Sequence, residues 1–395
     1  MLPQIQDICA LKRPACYYGF LKEIIKAVTM ADFGEGFTMA KLILGLGTSH
    51  SPMLAQPPEL WAIHGENDVR NRELVFPPDG LVYSYEEALE RANPDIAKNV
   101  DVEHFKVQHA NLTAAIDDLG KSLKAAQPDA VIIISDDQDE VLFEDNMPMF
   151  SIYWGDSMPL IARVPPDTAP PAVKAMAWGY GDVSMDVPVN AELGRHIIEH
   201  MIDNEFDVAH SKYLREEIGG TITRRYPTPD GESEYTRVTE PRNFGMPHGF
   251  SFVVKRLMDN KPIPIVPISL NTCYPPNQPT PKRSFAFGQQ IRRAVESWGT
   301  DARVAVIASG GLSHFVVDEE LDRAALKAMV ENDGEALSNL PRHRLNSAAS
   351  ETRNWVATAG ASEHLKAEIL AYEPVYRTPA GTGGGWGMVR WNGSN

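Results

Sequence analysis

Leu42-Ile43-Leu44-Gly45-Leu46-Gly47-Thr48-Ser49-His50-Ser51-Pro52-Met53-Leu54 is the stretch that decides the fold. Leu42, Ile43, Leu44 and Leu46 make an apolar run short enough to be a buried strand. The run breaks at Gly47 into a loop of small residues that carries one histidine, His50. Open α/β sheets bind their ligands outside the carboxyl ends of the strands. His50 is therefore the first candidate metal ligand. A lone loop histidine is more often an ordinary satisfied structural residue, so the question is whether the chain supplies partners.

Three further stretches repeat this layout. Asp129–Ile134 (DAVIII) is a buried strand that ends in Ser135-Asp136-Asp137-Gln138-Asp139-Glu140, a loop dense in oxygen ligands. Arg303–Ala308 (RVAVIA) stops in Ser309-Gly310-Gly311-Leu312-Ser313-His314, where two glycines let the backbone turn tightly and present His314. Pro262–Leu270 ends at Asn271, ahead of a proline-rich loop over Cys273–Pro281. Met149–Trp154 reads as another strand.

Helices alternate with these strands. Val102–Ala126 places Phe105, Leu112, Ala115, Ile116, Leu119 and Leu123 on one stripe. Ala191–Asp203, Gly249–Leu257, Phe287–Trp298, Glu319–Asn332 and Ser350–Gly360 also read as helices. Ser350 is placed as the N-cap of the last, with Glu351 in its first turn, where a carboxylate also suits the helix dipole. The tail Tyr376–Trp391 is glycine-rich and returns as a short strand. Alternation of this kind predicts an α/β fold, a mixed central sheet flanked by helices, with one active edge. Residues 39–395 are expected to form a single catalytic domain, with a loop-rich insertion near 55–100 and a polar insertion near 213–246. Residues 1–38 read as a loosely ordered extension, with Met39 as a natural start.

Composition removes whole classes of function. A net charge of −16 disfavours nucleic acid and anionic membrane as partners. No apolar run approaches the roughly 20 residues of a membrane span. Cys9, Cys16 and Cys273 make no disulfide framework and no thiolate zinc motif, which suits a reducing cytoplasm. There is no GxGxxG or GxxxxGK[ST] phosphate loop and no Gly-x-Ser-x-Gly elbow. His196 and His200 are four apart but lack the glutamate of a zinc-protease motif, and His104 and His109 are five apart, so all four are expected to be structural. His64 is expected at the surface. Eleven histidines and many carboxylates leave a nitrogen/oxygen metal site open.

Taken together, GTSHSPML, DAVIIISDDQDE, MPHGF, LNTCYPPNQP, RSFAFGQQIRRAVESW, SGGLSHF, SETRNWVATAGA and YRTPAGTGGGWG run in order from about residue 41 to 391. In these segments the chain resembles the catalytic subunit of class III extradiol aromatic ring-opening dioxygenases, the group of protocatechuate 4,5-dioxygenase and the gallate and 3-O-methylgallate dioxygenases. The resemblance implies non-haem Fe(II) held by two histidines and one carboxylate, with zinc or manganese as alternatives. It implies O2 and a small aromatic diol, a catecholic aromatic acid or related compound, as substrates, the ring opened beside the two hydroxyls in aromatic catabolism. It also suggests a homodimer, and leaves open a small helical partner subunit.

Carried over by position, His50 matches the first histidine ligand and Glu351 the carboxylate ligand. His314 matches the acid/base histidine and His248 a histidine beside the first shell. The family's second histidine ligand falls where this chain has Asp136-Asp137-Gln138. Either Gln138 is the third ligand, or a nearby aspartate or another histidine replaces it, or the centre is altered. Asn271, Arg283 and Arg377 are candidates for holding the substrate. A divalent-metal hydrolase or lyase, and a non-catalytic binding scaffold, are the rival readings.

Overall fold

The computed structural model describes residues 38–393, so the extension expected over residues 1–38 lies almost entirely outside the described residues. In chain order the elements that frame the site are β1 (Lys41–Thr48), α1 (Val102–Ala126), β2 (Ala130–Asp136), β3 (Phe150–Tyr153), α2 (Ala191–Asp203), β4 (Ala209–Ser211), β5 (Ile218–Thr228), β6 (Gly231–Arg242) and α3 (His248–Arg256). They continue with β7 (Ile265–Leu270), α4 (Pro281–Glu296), β8 (Arg303–Ser309), β9 (His314–Val316), α5 (Glu319–Glu331), α6 (Thr352–Ser362), β10 (Lys366–Tyr376) and β11 (Thr382–Asn392).

Nine strands form one mixed sheet in the order β9-β11-β1-β8-β2-β7-β3-β4, with β10 also paired to β11. The centre, β1-β8-β2-β7, is parallel. Its register aligns the carboxyl ends: Thr48 pairs with Ser309, Ala308 with Ile134, and Leu270 with Asp136. Parallel strands are covered on both faces and read as continuous apolar runs, and here the alternation splits between two cores. Leu44, Leu46, Val131, Ile133, Ala305 and Ile307 pack on one face with Leu112, Ile116 and Leu119 of α1. Leu42, Ile132, Ile134, Val304 and Val306 face Leu193 and Ile197 of α2 and Phe287 and Ile291 of α4 on the other. The α/β fold with a mixed sheet between helices is thus present as expected.

The polar insertion over 213–246 folds as a long antiparallel hairpin, β5 and β6, around Pro229-Asp230-Gly231. Its outward face is polar, so no apolar stripe marks it. Three expectations change. The tail is not a short strand: β10 and β11 pair along 11 residues each. The glycines of β11 are needed because side chains close over them, a Cβ at Gly385 falling 1.8 Å from Asp322 Oδ2. Helix α4 begins at Pro281, not Phe287, because Thr280 caps it by accepting from Arg283 N and Pro281 suits the first turn. Ser350 is not an N-cap: a tight 3-10 turn over Ser347–Glu351 runs straight into α6, and the Ser350 hydroxyl faces Cys273 Sγ at 3.4 Å.

Candidate active site

Glu351 is the hub. The turn before α6 carries its side chain beneath the ends of β1, β2 and β8, where it is fully buried. Oε2 lies 3.3 Å from His50 Nε2 and accepts Gly311 N–H at 2.5 Å. Oε1 accepts Gln138 Nε2 at 2.5 Å and faces His314 Nε2 at 3.1 Å. Burial alone would push its pKa up; the imidazoles of His314 and His50 outweigh burial and hold the carboxyl well below the usual range.

The tautomer of His50 follows from its partners. Ser309 Oγ spends its proton on the Gly249 carbonyl at 2.6 Å, so toward His50 Nδ1, 3.1 Å away, it can only accept. Nδ1 therefore carries the proton and Nε2 the lone pair. Burial, opposed in part by Glu351, pushes the His50 pKa down. His50 packs so closely on α3 that a Cβ at position 249 would lie 3.1 Å from its ring and 2.0 Å from Ser135 Oγ, which is why glycine follows His248.

Asp136, the last residue of β2, completes the group. Ligand atoms of His50, Asp136 and Glu351 all lie within 4.8 Å of one another, and all three residues are buried. Asn354 Nδ2 holds Asp136 Oδ1 at 2.9 Å and Gln138 Nε2 holds Oδ2 at 3.1 Å. Burial, then the neighbouring Glu351, raises the Asp136 pKa well above normal. A lone-pair nitrogen and two carboxylates converging out of water call for a cation between them. The donor set fits one divalent metal ion, with His50, Asp136 and Glu351 as the residues that would hold it. Gln138 is beside this group and directs its amide N–H at both carboxylates.

Two histidines flank the group. His314 Nδ1 faces the Leu312 carbonyl at 2.8 Å, which leaves Nε2 as its working nitrogen. Burial lowers its pKa, but Glu351 and the Leu312 carbonyl more than reverse this. His248, at the start of α3, is 2.7 Å from Glu140 Oε2 through Nδ1, and its ring meets that of His50 edge-on at 4.6 Å. Against the effect of burial, Glu140 brings its pKa up to about 9.

His50, His248, His314 and Glu351 line a cleft of about 680 Å³ whose walls include Arg163, Tyr180, Arg242, Phe244 and Trp386, while Asp136 is buried outside its lining. The cleft gathers His50, Gln138, His248, His314 and Glu351, with Arg377 at its edge. Arg377 is already committed: Nε and Nη2 reach Asp68 at 2.6 and 2.9 Å. Asn271 and Arg283 are not brought to the cleft. Asn271 holds the proline-rich loop through Tyr274 O and Asn277 Oδ1, each at 2.7 Å. Arg283 lies in the first turn of α4 with its guanidinium 4.2 Å from the centre of the Phe206 ring.

His64, expected at the surface, instead lines the cleft, bonded to Gln56 Oε1 at 2.8 Å, and burial pushes its pKa down to about 4. His196 and His200 are structural, bonded to Ala294 O and Gln290 Oε1. Sequence reasoning did not single out Tyr180, Arg163, Arg242 or Phe244. None belongs to a motif, and the turn signal at Asp230-Gly231 was the one clue that the 213–246 stretch is a structured wall.

The model of the catalytic LigB subunit of aromatic ring-opening dioxygenases matches residues 93–382. Gallate dioxygenase of Pseudomonas putida is 30% identical over 156 residues, 36% of this chain and 44% of that protein. The 2,3-dihydroxyphenylpropionate/2,3-dihydroxicinnamic acid 1,2-dioxygenase of Photorhabdus laumondii is 24% identical over 200 residues, 50% of this chain and 46% of that protein. Each match thus spans a little under half of the relative's length.

Proposed function

The chain belongs to the family of catalytic LigB subunits of aromatic ring-opening dioxygenases, and from that premise we propose that it opens a catecholic aromatic ring with O2, beside the two hydroxyls, at a non-haem Fe(II) centre. The observation that carries the proposal is the convergence of ligand atoms of His50, Asp136 and Glu351, with His314 beside Glu351 in the lining of one cleft. Bound there, Fe(II) would acidify the diol and supply the electron that O2 needs.

The chain's own residues do the rest. Nδ1 of His314 is committed to Leu312 O, so Nε2 takes the second hydroxyl's proton and later returns it to the reacting group. An imidazole is suited to both directions near neutral pH. His248, locked to Glu140, offers Nε2 toward the same space as a donor. Tyr180, Phe244 and Trp386 supply apolar walls for the ring and limit water.

One observation favours a second reading, a divalent-metal hydrolase or lyase. The third donor beside His50 and Glu351 is a carboxylate, Asp136, where the family resemblance implies imidazole. Zinc or manganese would suit such a harder donor set. The test is anaerobic reconstitution with Fe(II) followed by O2 uptake across a panel of catechols. One O2 consumed per ring, with both atoms of labelled O2 in the product, is the expected result. Metal-loaded protein that consumes no O2 with any diol would overturn it and favour the second reading.

A further inference from the structure

The turn that carries Glu351 begins on a strained residue. Asn346 is extended, at φ −111° and ψ 167°, and its side chain caps nothing. Ser347 then takes φ 52°, the left-handed region that suits glycine and that most side chains avoid. From there the chain runs through the 3-10 turn Ser347–Glu351 directly into α6. Ser347 is thus where the chain changes direction just before Glu351. A residue in so sparsely populated a conformation persists only where its surroundings over-determine it.

What holds Ser347 is Glu73. Ser347 is buried, and its Oγ donates to Glu73 Oε2 at 3.1 Å. Glu73, also buried, accepts from Tyr226 OH on the same oxygen at 2.8 Å. Its other oxygen accepts from Arg224 Nη1 at 2.7 Å and from Tyr235 OH. Arg224 Nη2 also reaches Asp139 Oδ2 at 3.0 Å. These contacts clamp the β5–β6 hairpin onto the loop after β2 and onto the turn before Glu351. The backbone of that turn is held separately by buried Arg353, whose Nη1 donates to Leu345 O at 2.8 Å and to Ser350 O at 3.2 Å. Glu73 comes from the insertion near 55–100, outside every motif that carries the family resemblance. Neither Glu73 nor Ser347 lines the cleft, so neither meets a ligand there.

We propose that Glu73 is a positioning residue for Glu351. By holding the Ser347 hydroxyl it fixes the left-handed start of the turn, and with it the place where the Glu351 carboxylate meets His50 and His314. This role rests on Glu351 as a member of the metal-holding group and is independent of the reaction that the metal serves.

The probe is Co(II), whose visible absorption reports the geometry of its ligands. It is titrated into the full chain and into S347A, S347G, Y226F, E73Q and the double variant E73Q/S347A. S347A keeps the strained backbone and loses the hydrogen bond, so its affinity should fall by about fivefold or more, with an altered spectrum. S347G reaches the left-handed conformation freely and should stay within about twofold of the parent. Y226F removes a hydrogen bond from the same Glu73 oxygen without touching the turn, and should keep the parent spectrum even where it unfolds sooner. E73Q should fall at least as far as S347A. The double variant should lose no more than about twofold beyond E73Q alone, because both changes break one hydrogen bond.

Parent-like affinity and spectrum in S347A, or an equal change in Y226F, would overturn the role of Glu73, whether or not E73Q folds. A second readout needs no metal: the ring-nitrogen resonances of His50 and His314, which Glu351 faces, should shift in S347A and not in Y226F. A parent chain that binds no Co(II) yet shows these shifts would sink the metal group and leave the positioning role standing. Co(II) bound equally by the parent and S347A would do the reverse.

Discussion

At the scale of single residues, the centre rests on which atoms can donate. Ser309 Oγ has one proton and gives it to Gly249 O, which fixes the proton of His50 on Nδ1 and frees Nε2. Partners of this kind typically govern metal affinity by about 10- to 100-fold. S309A should therefore weaken Fe(II) binding by roughly that factor, while S309T restores most of it. The nitrogen shifts of His50 in metal-free protein should show the Nδ1–H form in the parent and a mixture in S309A. An unchanged affinity and an unchanged tautomer in S309A would contradict the assignment. His50, His248, His314 and Glu351 were legible in the sequence because each sits in a short motif that resembles the family's. Asp136 was legible only as one of several loop acids. That β2 runs on through Asp136, in register with Leu270, is what carries its carboxylate to His50 and Glu351. Arg377 could not be judged from sequence, since its partner Asp68 lies 309 residues away.

At the scale of elements, the parallel strands were readable because each is buried on both faces and so is apolar throughout. Helix α1 was readable because one stripe of six apolar residues carries all its burial. The hairpin was not. Residues such as Glu232, Glu234 and Arg225 face solvent, and beside the buried Ile218, Ile222 and Tyr226 it is held by Arg224 between Glu73 and Asp139, residues 151 and 85 positions away. Removing Arg224 leaves buried Glu73 without its cationic partner and Asp139 with Arg237 alone. R224A should cost about 3 kcal/mol or more in denaturant unfolding, and R224K should recover part of it. A loss below about 0.5 kcal/mol would mean that the clamp is only a solvated surface pair.

At the scale of the whole molecule, the fold brings four strand ends to one edge and places buried acids around it. No helix among the described residues is long and apolar enough to cross a membrane. Asp322, which accepts from Ser313 N, Ser313 Oγ and Tyr372 OH behind His314, is pushed up to about 7 by burial, and Asp137 likewise. An unfolded aspartate titrates near ~3.9. Below that pH both states hold the proton. Between about 4 and 7 the folded chain keeps a proton that the unfolded chain releases, so stability falls as pH rises through this window. Denaturation midpoints at pH 5 and pH 8 should therefore lie closer together in D322N than in the parent protein. An equal or wider gap in D322N would place the pH dependence elsewhere.

The most direct measurement is an anaerobic Fe(II) titration of the parent protein beside D136N, E351Q and Q138A. The ligand group His50, Asp136 and Glu351 predicts one equivalent per chain in the parent. It further predicts a loss of at least about tenfold in affinity for D136N and E351Q, and a smaller loss for Q138A. Parent-like binding in D136N together with lost binding in Q138A would contradict it, and would make Gln138 the third ligand.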